Sequence, residues 1–146
     1  MASESSIQSS ILEYINKLPK STAENVSGNA QQSGRADINA CIEGRTFKIE
    51  VKTEDTAYGR KGATTKQRLY LEKWARAGAF SCVVYNLDDV KFAIALGIRR
   101  EIALSGYRIR FEENGNLSFL PLENLKVSGR GKWYDVENKR WVNISY

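Results

Sequence analysis

The sequence predicts an α/β fold, a mixed β-sheet flanked by helices and followed by a β-rich C-terminal extension. Three observations predict it. Apolar residues recur at helical spacing near the N-terminus and again after residue 64. The run Phe47-Lys48-Ile49-Glu50-Val51-Lys52 alternates strictly between apolar and charged residues, the period of a strand. Over residues 46–85 a helical segment stands between two strand-like runs, which is the pattern of a parallel crossover in one sheet. With 146 residues, 42% of them hydrophobic, the chain is close to the commonest size of one domain and can fill a core. The core unit is expected over 1–105. Residues 106–146 are expected to be rich in hairpins, either within the same domain or as a small appendage.

Each element follows from local pattern. Ile7, Ile11, Leu12, Ile15 and Leu18 share a helix face over about 4–18, with Ser5 and Gln8 as a capping box and Pro19 as the breaker. Residues 20–34 are polar and rich in Gly, Ser and Asn, with one short strand expected near Asn25-Val26. Residues 35–42 and 46–52 read as two strands joined by a tight turn at Glu43-Gly44-Arg45. Glu54 to Thr64 is a Gly-rich basic loop. A second helix spans about 65–77, with Gly78 just past its end, and Phe80 to Tyr85 is an apolar run of buried-strand type. A third helix is expected from Leu87 to about 104, with Val90, Ile94, Ile98 and Ile102 as its stripe. Two hairpins close the chain, one around Asn114-Gly115 and one around Glu137-Asn138-Lys139.

Composition narrows the chemistry. The chain has no histidine, which excludes Ser-His-Asp and Cys-His catalysis, histidine bases and histidine-rich zinc sites. The formal charge of +5 favours an anionic partner such as nucleic acid. Cys41 and Cys82 lie in strand-like runs without a CxxC spacing, so two buried free thiols in a reducing cytoplasm are expected. The N-terminal MASESSIQSS has neither a basic nor an apolar signal region, and no apolar run approaches the roughly 18 residues of a membrane span.

Glu50 and Lys52 are two apart on a strand and share a face. If Asp37 ends the neighbouring strand, its carboxylate reaches the same spot. Two carboxylates and a lysine are the parts of a divalent-metal site for cutting a phosphodiester, with the Val51 carbonyl as a further ligand. Lys52 can orient water or stabilise charge on a phosphate; a charged, solvated strand face with a surface ion pair is its ordinary alternative. Gln67 has two explanations, a capping box with Thr64 or a side chain aimed at the metal site. Arg60 and Lys61 can grip a phosphate backbone or sit in a solvated loop, and Arg76, Arg99 and Arg100 can extend a basic surface. In the C-terminal hairpins Arg108, Arg110, Arg130, Lys132 and Arg140 interleave with Trp133 and Trp141. That mixture suits nucleic-acid contact, although tryptophans at strand spacing more often pack a small sheet.

The runs Gly34-Arg35-Ala36-Asp37-Ile38, Glu50-Val51-Lys52, Gln67 and Trp74-Ala75-Arg76-Ala77-Gly78-Ala79 resemble the VRR-NUC family of the PD-(D/E)XK nuclease superfamily. The resemblance covers about residues 3–90 and is nearest to small stand-alone members found in phages. It implies an αβββαβ nuclease core, Mg²⁺ or Mn²⁺ as cofactor, and endonuclease activity on DNA in the cytoplasm of a bacterial host. It also implies Asp37 and Glu50 as metal ligands, Lys52 as the catalytic lysine and Gln67 as the glutamine opening the following helix. An acidic residue on the first helix belongs to the pattern, Glu4 or else Glu13. The expected DNA contacts are Arg35, Arg60, Lys61, Lys66 and Arg68. Some stand-alone members resemble Holliday junction resolvases and act as homodimers, so a structure-selective nuclease on branched DNA is a narrower alternative. A non-catalytic DNA-binding module with a nuclease fold is the alternative from another class. Ala36 departs from the pattern, since a proline commonly precedes the aspartate, but it removes no ligand.

Overall fold

A computed structural model describes residues 3–26, 34–98, 102–104, 107–111, 117–121 and 125–145. The element order is α1 (Glu4–Asn16), β1 (Ser21–Asn25), β2 (Ile38–Ile42), β3 (Arg45–Val51), α2 (Ala57–Arg60), α3 (Thr65–Arg76), β4 (Phe80–Val84) and α4 (Leu87–Gly97). Then come β5 (Ile102–Leu104), β6 (Tyr107–Phe111), β7 (Leu117–Pro121), β8 (Lys132–Asp135) and β9 (Arg140–Asn143). The first eight elements and the last two form a six-stranded sheet in the order β1-β2-β3-β4-β8-β9 with helices on both faces. All pairs are antiparallel except β3 with β4, which the α3 crossover makes parallel. Strands β5, β6 and β7 make a separate antiparallel sheet.

The two sheet faces carry different cores. Phe47, Ile49 and Val51 of β3, with Cys82 and Val84 of β4, pack against Ile7, Ile11 and Ile15 of α1 and Val90 and Ile94 of α4. On the other face, Val83 and Tyr85 pack with Leu71 of α3 and Ala36. Strand β4 is therefore buried from end to end, as its uninterrupted apolar run requires.

Several local expectations shift. Ser3, not Ser5, caps α1 by accepting from the Ser6 amide, which puts Glu4 in the first helical turn. Strand β1 is longer than a touch near Asn25-Val26, because the open edge of β2 pairs with all five residues of Ser21–Asn25 despite their weak strand propensity. The β2–β3 turn is Glu43-Gly44 alone, both with positive φ, the geometry of a two-residue type I′ hairpin that glycine permits at its second position. The expected basic loop contains one helical turn, α2. The third helix stops at Gly97 rather than near 104. Ile98 takes an extended conformation and Ile102 pairs in β5 with Ile109, so sheet pairing overrides the four-residue apolar spacing. Cys82 is buried as expected, but Cys41 is exposed on β2. Hairpin β8–β9 joins the main sheet beside β4, and Trp133 stacks on Phe80 at 5.7 Å. The Asn114-Gly115 turn, Arg99, Arg100 and the side chains of Arg108 and Arg110 lie outside the described residues.

The segment leading into β8 is tied down by one buried carboxylate. Asp89 accepts from the amide of Tyr85 at 2.8 Å, the amide of Ser128 at 2.8 Å and the Ser128 hydroxyl at 2.7 Å. Removing such an acceptor leaves several buried donors unpaired. Asp89→Ala is expected to lower stability by about 3 kcal/mol or more and Ser128→Ala by about 1 kcal/mol. Urea unfolding with an unchanged denaturant slope is the check.

Candidate active site

The charged face of β3 is not solvated. Lys48, Glu50 and Lys52 are 4%, 2% and 2% exposed, as buried as the apolar residues between them. Lys48 is accommodated by donating to Asn39 Oδ1 at 2.6 Å and by lying 3.7 Å over the Trp74 ring of α3. Glu50 and Lys52 are held differently, and they meet the end of β2.

Asp37 immediately precedes β2, where the sheet pairing with β3 has run out at Ile38 and Ile49. Its Oδ2 accepts from the Val51 amide at 2.8 Å, so the aspartate side chain continues the ladder by one step. In a strand the amide and carbonyl of one residue point to the same side. The Val51 carbonyl therefore faces the Asp37 side as well. Glu50 lies within interaction range of Asp37. Burial first, then the neighbouring Asp37 carboxylate, push the Glu50 carboxyl up to about 9, while Lys52 pulls it down. Glu50 Oε1 accepts from Gln67 Nε2 at 3.1 Å and lies 3.7 Å from Lys52 Nζ. Glu50 Oε2 is buried with no hydrogen-bond partner.

Gln67 does both things expected of it. Its Oε1 accepts from the Thr64 amide and its own amide donates to Thr64 Oγ1, completing the capping box. Its Nε2 remains for Glu50. The cap thus fixes the side chain that fixes the carboxylate. Lys52 Nζ lies 5.1 Å over the ring of Tyr58, which the α2 turn carries across it. That turn is anchored from below, where Tyr85 donates its hydroxyl to the Gly59 carbonyl at 2.6 Å. A side chain at Gly59 would collide with the Thr53 carbonyl, so the close approach requires glycine.

Of the two first-helix acids, Glu4 is the one within electrostatic reach of Asp37 and Lys52. Burial raises its carboxyl, Lys52 lowers it and Asp37 raises it again, the mark of a group facing both. Glu13 instead is fully exposed and pairs with Lys17 at 2.9 Å. Among the basic candidates, the Lys66 side chain lies against Gly34 next to Arg35, whereas Arg60, Lys61 and Arg68 line a cavity beyond α2. Arg76 is exposed on the last turn of α3. The buried Cys82 thiol is pushed far up by burial and is no nucleophile. From sequence, Tyr58 and Trp74 carry no role against the lysines, and Trp74 enters only within the run 74–79. The period-2 alternation groups Lys48 with Glu50 and Lys52 on one face, but it carries no signal that the face is covered and that these lysines need partners.

Among the described residues no three His, Cys, Asp or Glu side chains stand close enough to cage a metal on their own. The donors that do converge are two carboxylates and a carbonyl. Mg²⁺ is commonly bound by one or two carboxylates with waters and substrate phosphates completing the shell, so this set suits a hard divalent cation. The orphaned Glu50 Oε2 is the feature such a cation would satisfy. Compared with protein-family models, curated proteins and solved structures, the chain matches none.

The raised Glu50 carboxyl has a stability consequence. Its contribution is fully present below the unfolded value near 4.5 and is lost as pH rises toward about 9, because the folded state must bury a charge that the unfolded chain leaves in water. In EDTA the wild-type urea midpoint is expected to fall between pH 5 and 9, and Glu50→Gln to flatten that fall. At pH 8 Glu50→Gln is expected to be the more stable by on the order of 1–3 kcal/mol.

Proposed function

We propose that the protein is a divalent-metal-dependent DNA endonuclease of the VRR-NUC type, hydrolysing phosphodiester bonds on a PD-(D/E)XK-like core. One observation carries the reading. Two carboxylates, Asp37 and Glu50, face each other at a strand end with one buried oxygen lacking any donor and a buried lysine beside them. Both carboxyls can be ionised together in that setting only if a cation offsets their charge. Apart from the single turn α2, the order helix, three antiparallel strands, helix, parallel strand supports the reading, being the αβββαβ order that the resemblance implies.

Asp37, Glu50 and the Val51 carbonyl would hold Mg²⁺ or Mn²⁺, with Glu4 at longer range. Such a cation, when bound, polarises the scissile phosphate and lowers the pKa of a water. The chain's own residues do the rest. Gln67 restrains Glu50 Oε1, so the carboxylate does not swing to find another partner. Lys52, held under Tyr58, places a fixed positive charge at the same end of the strand, where it orients the attacking water or stabilises charge building on the phosphate. Lys66, whose side chain lies against Gly34, and Arg35 would meet the backbone of the bound strand.

The test is cleavage of a panel of linear duplex, flap and four-way-junction DNA with Mg²⁺ or Mn²⁺. Asp37→Asn and Lys52→Ala are each expected to lower cleavage by at least about 10²-fold. Asp37→Asn retains an acceptor for the Val51 amide, so its thermal unfolding in EDTA is expected to match wild type closely. Wild-type cleavage by both variants on every substrate would sink the assignment.

A further inference from the structure

Beyond α2 the sheet face that carries Glu50 opens into a cavity of about 430 Å³. Its walls bring together Arg60, Lys61, Arg68, Arg130, Lys132 and Trp141. These residues come from α2, α3, the segment before β8, and strands β8 and β9. Among the described residues no acidic side chain lines the cavity. The nearby acids are turned to other tasks: Glu54 pairs with Arg130 at 3.4 Å, and Glu72 accepts from Trp141 Nε1 at 3.2 Å.

The sheet register fixes where this cavity lies. Glu50 is paired with Val83, Val83 with Lys132, and Lys132 with Asn143, one row of side chains on one face. Lys132 is two strands from Glu50, roughly 10 Å at the ordinary strand spacing. At the ~3.4 Å rise of one strand of a duplex that is about three nucleotides, and fewer in a stretched strand. Five cations around a concave, aromatic-walled space are the elements of single-strand binding, a cationic path for phosphates and a ring for a base. The volume lies within the range of small-ligand pockets. A base inside a duplex is stacked and paired, so only an unpaired nucleotide can offer its base to Trp141 and its phosphate to the cations at once.

We propose that this cavity holds a nucleotide of an unpaired DNA strand adjoining the cut, and so directs the protein to DNA with a single-stranded segment beside the scissile bond. The placement beside the cut rests on the nuclease reading; the binding of an unpaired strand does not.

Binding is measured with the full chain in EDTA, by anisotropy of a labelled oligothymidylate and of a duplex of equal length, so that no cleavage intervenes. Wild type is expected to prefer the single strand by at least about tenfold, and Lys132→Glu to lose at least about tenfold in that affinity. Lys91→Glu, on α4 across the sheet, is the charge-matched control and is expected to bind nearly as wild type does. Strand binding is expected to quench tryptophan fluorescence in wild type and to leave most of it unquenched in Trp141→Phe, which keeps a ring in place. Equal affinity for duplex and single strand, equal loss in Lys132→Glu and Lys91→Glu, or full quenching in Trp141→Phe overturns the proposal. Cleavage with Mn²⁺ is scored separately. A protein that binds through Lys132 but cuts nothing loses the nuclease reading and keeps the cavity. One that cuts, with Lys132→Glu cutting single-strand-containing and duplex DNA as wild type does, loses the cavity and keeps the nuclease reading.

Discussion

The parallel pairing of β3 with β4 is the constraint on which the rest depends. It places β3 inside the sheet, so that both its faces are covered and its three charged side chains are removed from water. A parallel strand is ordinarily apolar on both sides. Here one side is not, and each charge must be compensated where it lies. Lys48 is compensated by an amide oxygen and an indole face. Lys52 has a carboxylate and a phenol ring. Glu50 is compensated on one oxygen only, by Gln67 and Lys52, while its other oxygen is buried without a donor and Asp37 adds a second carboxylate nearby.

The surrounding architecture holds that imbalance in place. A capping box settles Gln67, and the hydroxyl of Tyr85 fixes the turn that lays Tyr58 over Lys52. Tyr85 in turn gives its amide to Asp89, whose other bonds hold the segment leading into β8. The carboxylate pair, the turn above it and the basic cavity are thereby joined through one end of β4. A side chain that cannot relax away from an unfavourable neighbour is what a preorganised site requires. A bound cation would recover the stability lost in burying Glu50, which links the site's cost to its proposed use.

How much of this was legible in the sequence depends on the range of the interaction. The alternation of Phe47 to Lys52 and the joint presence of Asp37, Glu50 and Lys52 pointed to one spot, because both are governed by strand periodicity. The Thr64 and Gln67 cap was legible for the same reason, being local. The alternation could not reveal that the charged face is buried, since a covered face and a wet face have the same period. Strand β1 was hard to see because pairing along the open edge of β2, rather than its own Ser-Thr-Ala-Glu-Asn composition, makes it a strand. The end of α4 at Gly97 was missed where Ile98 and Ile102 fit a helix stripe and a strand equally well. The convergence of Arg60 and Arg68 with Lys132 and Trp141 depends on β8 pairing with β4, a contact between segments some fifty residues apart that no local pattern encodes.

The central claim is that Glu50 is a buried, proton-holding carboxyl whose place a divalent cation completes. Calorimetric titration of the protein with Mn²⁺ at pH 7, repeated in two buffers of different ionisation enthalpy, counts the protons displaced on binding. Cation binding is predicted to release on the order of one proton per ion from the wild type and close to none from Glu50→Gln. Absence of Mn²⁺ binding, or binding whose proton release is the same with and without the Glu50 carboxyl, would contradict it.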